Sequence, residues 1–496
     1  MKHKILPALC LLFLISQPLL AAPEKAAKPA ATATVADSPA AAARKAFEAE
    51  KYDDAVALAT PLAEKGDPDA IYLLGFAHET GKGAPLSREK AIEYYRKGML
   101  KEHSDSTYRL AFILMASQEK TEILEARAIL EKHASSDPAI SGRILGEAFL
   151  LGQFGDKPDS AKAISWWGKA AAAKDVPSML FLARLHDGQM GFPEIKDSVK
   201  AFDFYKQASD EGDAGAMVAT ASRFLYGDKA LRDQKEGLAL IEKAIAAKEY
   251  SAYLSRGNWQ EQVKKDDKAA LADFERGKDA GQIDCMLRAA EFYFQGKGTE
   301  KDPTRAETIL QAAAEKGSPQ AHLMLAARIF ETKEPDIIKG YQHLLAAANA
   351  GLAAAQNELG LLYLAGKLGI ADASAAVSWF GRAAQSGFAA AQNNLGALHE
   401  RGTGIEQNYA KAAQFYALAA QQGHAGATLA LARFQAAGAA TKVNKELGWA
   451  LGKIAEERGE TNAAEFLKTL EKDFSKAQLA AANKELVRIK SDKPSE

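Results

Sequence analysis

Residues 354–389 read AAQNELGLLYLAGKLGIADASAAVSWFGRAAQSGFA, and residues 390–425 read AAQNNLGALHERGTGIEQNYAKAAQFYALAAQQGHA. Leu359-Gly360 returns as Leu395-Gly396, Ala383-Ala384 as Ala419-Ala420, and Gly387 as Gly423, each 36 positions on. A fixed period between about 20 and 50 residues marks a stacked array whose units cannot bury their apolar faces alone. Reading outward, the template can be laid down from Asp69 to Thr461, which makes about eleven units. The expected fold is all-α: an α/α solenoid of helix-turn-helix repeats, in which each unit packs only on its neighbours.

Each column of the template has a physical reading. First helices carry Leu-Gly, as at Leu74-Gly75, or degenerate forms such as Leu182-Ala183, Ala289-Ala290 and Leu325-Ala326. The small residue is expected to let two helix backbones approach. Second helices carry a ring pair followed by small residues: Tyr94-Tyr95, Trp166-Trp167, Phe204-Tyr205, Trp379-Phe380 and Phe415-Tyr416. Rings at that spacing fill the seam between hairpins. Gly66, Gly317, Gly351, Gly387 and Gly423 stand where a left-handed C-terminal cap is wanted.

The register comes from the start of the second helix. Ser87, Asp159, Asp197, Asp233, Asp266, Asp302, Asp336, Asp372, Asn408 and Asn444 share one position, and all are N-cap residue types. Only the second unit departs, with Glu122 there. Pro303 follows Asp302 in a first turn, where proline is tolerated.

The ends differ from the array. Lys2 and Lys4, an interrupted apolar run over Ile5–Leu20 and small Ala21-Ala22 have the layout of a secretory signal peptide over 1–22. The run is shorter than the roughly 20 apolar residues of a membrane span, so no stable span is expected after cleavage. Residues 23–39 read as a flexible Ala/Pro-rich leader, and 40–68 as an N-terminal helical half-repeat. Residues 69–461 form the solenoid, and 462–496 a helical cap and tail with Phe466, Leu467, Leu470 and Phe474 on one face. Formal charge is −1, without a basic stripe for nucleic acid. Cys10 lies inside the apolar run of the signal peptide, so processing leaves Cys285 without a disulfide partner; it reads as a small buried residue.

The pattern A-x-x-x-L-G-x-x-Y-x-x-G-x-G, continued by x-A-x-x-W/F-Y/F-x-x-A-A-x-x-G, resembles the Sel1-like repeat. It is cleanest over Ala391–Gly404 joined to Ala412–Gly423, with His399 in the first Tyr slot. The resemblance covers about 69–461, closest in the first, ninth and tenth units and degenerate in the second, sixth and eighth. It implies a relative of the tetratricopeptide repeats, whose members mostly serve as adaptors and scaffolds. Exported bacterial members take part in envelope assembly, exopolysaccharide export or host contact. Cysteine-rich exported relatives are linked to β-lactam hydrolysis, but they staple their units with cysteine pairs that this chain lacks.

Four constellations invite a chemical reading, and periodicity answers most of them. His78-Glu79, His186-Asp187 and His399-Glu400 place three histidines in one slot, where other units hold Tyr293, Tyr363 or Phe224. A flat ring filling a repeat pocket explains that column, and copies spread along an array cannot converge on a zinc ion. His322 and His343 share a unit without an evident third ligand. Gly-x-Gly at Gly81–Gly83, Gly296–Gly298 and Gly402–Gly404 joins two helices, without the strand of a dinucleotide fingerprint. Gln356, Asn357, Gln392, Asn393 and Asn394 are first-helix polar residues that read either as hydrogen-bond donors to a partner backbone or as solvated helix surface.

No catalytic, cofactor-binding or metal-ligating residue is named, and no cofactor is expected. The expected function is a non-catalytic protein–protein interaction scaffold, periplasmic or secreted from a Gram-negative bacterium, holding envelope proteins on its concave face. The alternatives are a regulator or binder of cell-wall or exopolysaccharide machinery, and a β-lactam hydrolase.

Overall fold

The computed structural model describes residues 39–155, 157–227, 232–440 and 442–491. The signal-peptide reading over 1–22, nearly all of the 23–39 leader and the tail beyond Ser491 lie outside them. The described residues are helical, without a strand, and make eleven successive hairpins. The first joins Pro68–Thr80 to Arg88–Met99, and the last joins Ala425–Ala437 to Lys445–Glu457. A shorter hairpin, Ala41–Glu48 with Tyr52–Glu64, precedes them, and Ala463–Glu471 and Lys476–Ser491 follow.

Second helices start where the cap column puts them. All ten capping side chains accept the backbone N–H three residues on, at 2.9–3.2 Å. Each such bond satisfies one orphan donor of the first turn and contributes about 1 kcal/mol. The second repeat begins its helix after Glu119, which makes no capping bond, while Glu122 lies in the first turn and pairs with Arg88. The capping residues also donate their own N–H back to the first helix. Ser87 reaches the His78 carbonyl at 2.9 Å, Asp372 reaches Tyr363 at 3.0 Å, and Asn408 reaches His399 at 2.8 Å. In these repeats one residue holds the turn from both sides.

First helices are capped as well, which the column analysis did not find. Asp67, Asp137, Asp175 and Ser318 cap them with a proline in the first turn, and His103 and His424 accept through Nδ1.

The Leu-Gly column needs a correction. A ring, more than a neighbouring backbone, occupies the space that the glycine leaves. A β-carbon on Gly75 would lie 2.7 Å from Tyr95, one on Gly360 2.6 Å from Phe380, and one on Gly146 2.4 Å from Trp167. True backbone approach occurs at Gly142 against the Trp166 carbonyl and at Gly448 against Ala432. In these repeats the second ring of the pair is thus seated on the first helix of its own repeat, and Tyr95, Trp167 and Phe380 are fully buried.

The chain divides into two compact units at Met217/Val218, within the helix Ala214–Tyr226. Up to Met217 the largest core gathers Leu110, Leu130, Leu145, Trp167 and Leu182. From Val218 onward the core is a series of smaller clusters, including Phe274 with Phe292 and Leu310, and Phe380 with Leu395. Trp449 packs with Leu467 and Leu470 of the penultimate helix, and its Nε1 donates to Glu471 at 2.6 Å.

Candidate functional site

The first-helix amides, read as facing a partner or solvent, are largely consumed inside the array. Gln356 and Gln392 are 7% and 4% exposed, and their Nε2 groups donate to the carbonyls of Ala348 and Ala384, eight residues earlier. Arg458 does the same for Ala420 at 3.0 Å, one period on, and bonds Thr428 at 2.6 Å. Asn394 donates to buried Asn357 across the repeat boundary at 3.0 Å, and Gln422 donates to Gln392 at 2.8 Å. Gln356, Gln392 and Arg458 thus tie off second-helix C-termini, whose last carbonyls lack intrahelical partners. Asn393 is half-buried.

The His-Glu pairs are a lock between the two helices of a repeat. His78 stacks on Tyr94 at 5.7 Å and 11°, His186 on Phe204 at 6.0 Å and 7°, and His399 on Phe415 at 5.7 Å and 8°. All three rings are buried; His78 and His186 also use Nδ1 on the carbonyls of Pro85 and Ile195. The adjoining glutamate takes the second ring of the pair. Tyr95 donates to Glu79 at 2.5 Å, and Tyr416 donates to Glu400 at 2.6 Å. Burial first, and then the bonded carboxylate, push both phenols well above the usual tyrosine range.

Cys285 is buried with its sulfur in the space beside Gly277, and burial pushes the thiol up to about 12. That is the opposite of an activated thiolate. The second glycine of each Gly-x-Gly abuts the start of the preceding second helix: Gly83 on Tyr52, Gly298 on Asp267 and Gly404 on Ala373. A β-carbon there would lie 2.4 Å from backbone atoms, so these glycines seat one repeat on the next. No group of three or more His, Cys, Asp or Glu side chains among the described residues is arranged to hold a metal ion.

Two degenerate repeats of the second unit carry paired polar side chains at template slots. In the sixth, Arg256 stands where other units place the Leu of Leu-Gly, and Asp273 stands where they place the first ring. Arg256 forks onto Asp273 with two bonds of 2.8 Å and also pairs with Glu242, while Gln260 adds 3.2 Å to Asp273. Asp273 is 1% exposed. The bond to Asp273 raises the Arg256 guanidinium above its usual range. In the eighth repeat His343 takes the first-ring slot and His322 the Gln356/Gln392 slot, with their Nδ1 atoms 2.9 Å apart. Burial depresses both imidazoles, and His322 and Lys339 depress His343 further. The signal that finds both pairs is a polar residue at two facing template slots of one unit.

This architecture defines the class: a helical-repeat protein whose recurring chemistry assembles an array of hairpins. The Sel1 repeat model matches residues 68–98, 143–175, 176–213, 214–248, 283–318, 319–352, 353–388 and 389–424, more than half of the chain. The chain belongs to the Sel1 repeat family. The second and sixth hairpins and the one beginning at Ala425 fall outside those eight matches.

Among curated proteins the chain is similar to chitin synthase regulatory factor 3 of Schizosaccharomyces pombe, 23% identical over 278 residues, covering 54% of this chain and 30% of the relative. It is also similar to chitin synthase regulator SKT5 of Saccharomyces cerevisiae, 26% identical over 276 residues, covering 52% of this chain and 39% of the relative. The chain thus spans less than two fifths of either relative. Among solved structures, the Oxalobacter formigenes Sel1 repeat protein is 24% identical over 65% of this chain and 93% of that chain, with TM-score 0.43. The Escherichia coli protective antigen c5321, displaying an SLR fold, is 19% identical over 89% and 98%, with TM-score 0.39. The expected periplasmic or secreted Gram-negative location is corrected by the curated relatives, both of which are regulators from yeasts. No helix among the described residues is long and apolar enough to cross a membrane.

Proposed function

We propose that this chain is a non-catalytic interaction scaffold that regulates a cell-wall polysaccharide synthase by binding a protein of that machinery. One observation carries the reading: the constellations that could pass for active sites are built into the packing of the repeats. His78, His186 and His399 stack on rings, Glu79 and Glu400 hold tyrosines, and Cys285 is a buried thiol pushed up in pKa. The printed names of the yeast relatives, both chitin synthase regulators, support the choice of machinery. In this reading 69–461 is the binding array, 40–68 opens it and 462–496 closes it.

The test is crosslinking of the full chain in its own cells, followed by mass spectrometry. Recovery of a polysaccharide synthase subunit or its regulator is expected. Recovery of glycan without protein, or turnover of a β-lactam reporter lost on a point mutation, overturns the reading.

A further inference from the structure

The sixth repeat departs from the template at its turn as well as in its core. After Ser251–Trp259 the chain makes a π-helical turn over Gln260–Lys264 and leaves it through Lys265 at φ 59°. Such turns are rare and recur at functional sites. The widened turn carries Glu261, whose side chain is 14% exposed, between two cations of the next repeat. Arg288 Nη2 meets one carboxylate oxygen and Lys297 Nζ meets the other.

Around this carboxylate lies a cavity of about 660 Å³, lined by Asn258, Glu261, Gln262, Lys265, Asp267, Arg288 and Lys297. Three lining cations face two lining carboxylates. Arg288 lies over Phe274 and Phe292, 5.3 Å from each ring centroid, and its Nε–H has no hydrogen-bond partner among the described residues. Its Nη1 pairs with Glu291, and Lys297 also approaches Asp267 at 3.7 Å. The two rings fix the guanidinium while leaving one donor unused.

We propose that this cavity receives a carboxylate side chain from an acidic peptide segment of a protein partner, and that Glu261 is its internal stand-in. The geometry argues for a carboxylate. Each oxygen of Glu261 is already held by a separate cation, in a space far larger than one carboxylate fills. The amides of Asn258 and Gln262 add donors and acceptors suited to a peptide backbone. Burial opposes ionisation of Glu261, but bonds from Lys297 and Arg288 outweigh it and hold the carboxyl below its usual range.

This proposal rests on the scaffold reading and names the chemistry of its partner. The test is fluorescence anisotropy of labelled hexaglutamate with the purified full chain at low salt, with hexaglutamine as control. Glu261→Gln vacates the cations without deleting the side chain, and is expected to bind about tenfold tighter than the parent. Arg288→Gln and Lys297→Gln are expected to bind about tenfold weaker. Lys265→Gln, at a position with little packing to lose, is expected to weaken binding with the melting temperature unchanged, which keeps the test open should Arg288→Gln unfold the repeat.

Glu261→Gln that melts lower without tighter binding makes the cluster an inter-repeat staple and overturns the proposal. So does hexaglutamate binding unaltered by Lys265→Gln and Lys297→Gln, or inorganic phosphate competing better than acetate. A chain that crosslinks to synthase machinery while these variants leave hexaglutamate binding unchanged sinks this site and keeps the scaffold. The expected variant order in a chain that recruits no protein keeps the site and sinks the scaffold.

Discussion

Repeats 9 and 10 and repeat 6 fill the same two slots with opposite chemistry. In repeat 9 Leu359 precedes Gly360, and Trp379 precedes Phe380; in repeat 6 Arg256 precedes Gly257, and Asp273 precedes Phe274. The seat itself is kept. A β-carbon on Gly257 would lie 2.5 Å from Phe274, as one on Gly360 would lie 2.6 Å from Phe380. What changes is the pair beside the seat, from a leucine and a ring to a buried guanidinium–carboxylate fork. The array therefore tolerates an exchange of apolar for ionic packing when both partners change together, because each charge then has its counter-charge and hydrogen bonds.

The largest expected effect breaks that exchange in half. Asp273→Ala leaves Arg256 buried without its fork and should cost about 3–5 kcal/mol. The double variant Arg256→Leu/Asp273→Trp, which writes the repeat 9 pair into repeat 6, should recover most or all of that loss. Urea unfolding read by hydrogen exchange within repeat 6 checks both, since an array need not unfold in one step. A double variant as unstable as the single one would show that the ionic pair is not a substitute for the apolar one.

The template side is sharpened by Tyr416→Phe, which strips the donor from Glu400 while keeping the ring on Gly396. A hydrogen bond to a charged group is worth about 1.5–3 kcal/mol, and a loss in that range is expected in repeat 10. Equal stability of Tyr416→Phe and the parent would reduce the His-Glu lock to its stacked half.

Repeat 8 supplies a pH-dependent contrast. Its His322–His343 pair replaces a Gln and a ring, and burial holds both imidazoles below their ordinary value of 6.5. The unfolded chain takes up protons as pH falls through 6.5, while the folded pair resists until its own lower values are reached. The pair's contribution is complete above pH 6.5 and lost on acidification below it. Glu307, Glu315, Arg328 and Lys339 line the same cavity as His343, and Lys339 adds to its depression. His322→Gln, the residue of repeats 9 and 10 at that slot, should flatten the fall in melting temperature between about pH 7 and 5. A parent curve already flat over that interval would remove the histidines from the account.

The fold was legible wherever chemistry restricts the residue type. An N-cap demands a short polar side chain, so ten second-helix starts could be read from one column and each was found capping. The first-helix caps were overlooked because they mix Asp, Ser and His with apolar Leu352 and Phe388, which cap nothing. Gln356 and Gln392 looked available because a polar residue on a helix reads as exposed. Only the folded array shows that the helix end eight residues earlier has claimed them. The Arg256–Asp273 exchange hid for another reason. Each half breaks the pattern by itself, and the compensation is visible only when the two slots are known to face each other.

The smallest expected effect tests the column that carried the register. Asn408 accepts the Lys411 N–H at 2.9 Å and donates its own N–H to His399 at 2.8 Å. Asn408→Ala removes the first bond and keeps the second, so the loss should be about 1 kcal/mol, the usual worth of a cap. Asp266→Ala removes the same bond in repeat 6, where the partner carbonyl belongs to Gln260, the first residue of the π-turn. If the turn depends on its cap, Asp266→Ala should loosen Glu261 as well and raise amide exchange across Gln260–Lys264. Asn408→Ala should leave exchange beyond its own first turn unchanged. Equal and local effects at the two sites would mean that the π-turn is held without its cap, by Arg288 and Lys297 on Glu261 and by the Gln260–Asp273 bond, and that the two kinds of repeat differ only in their cores.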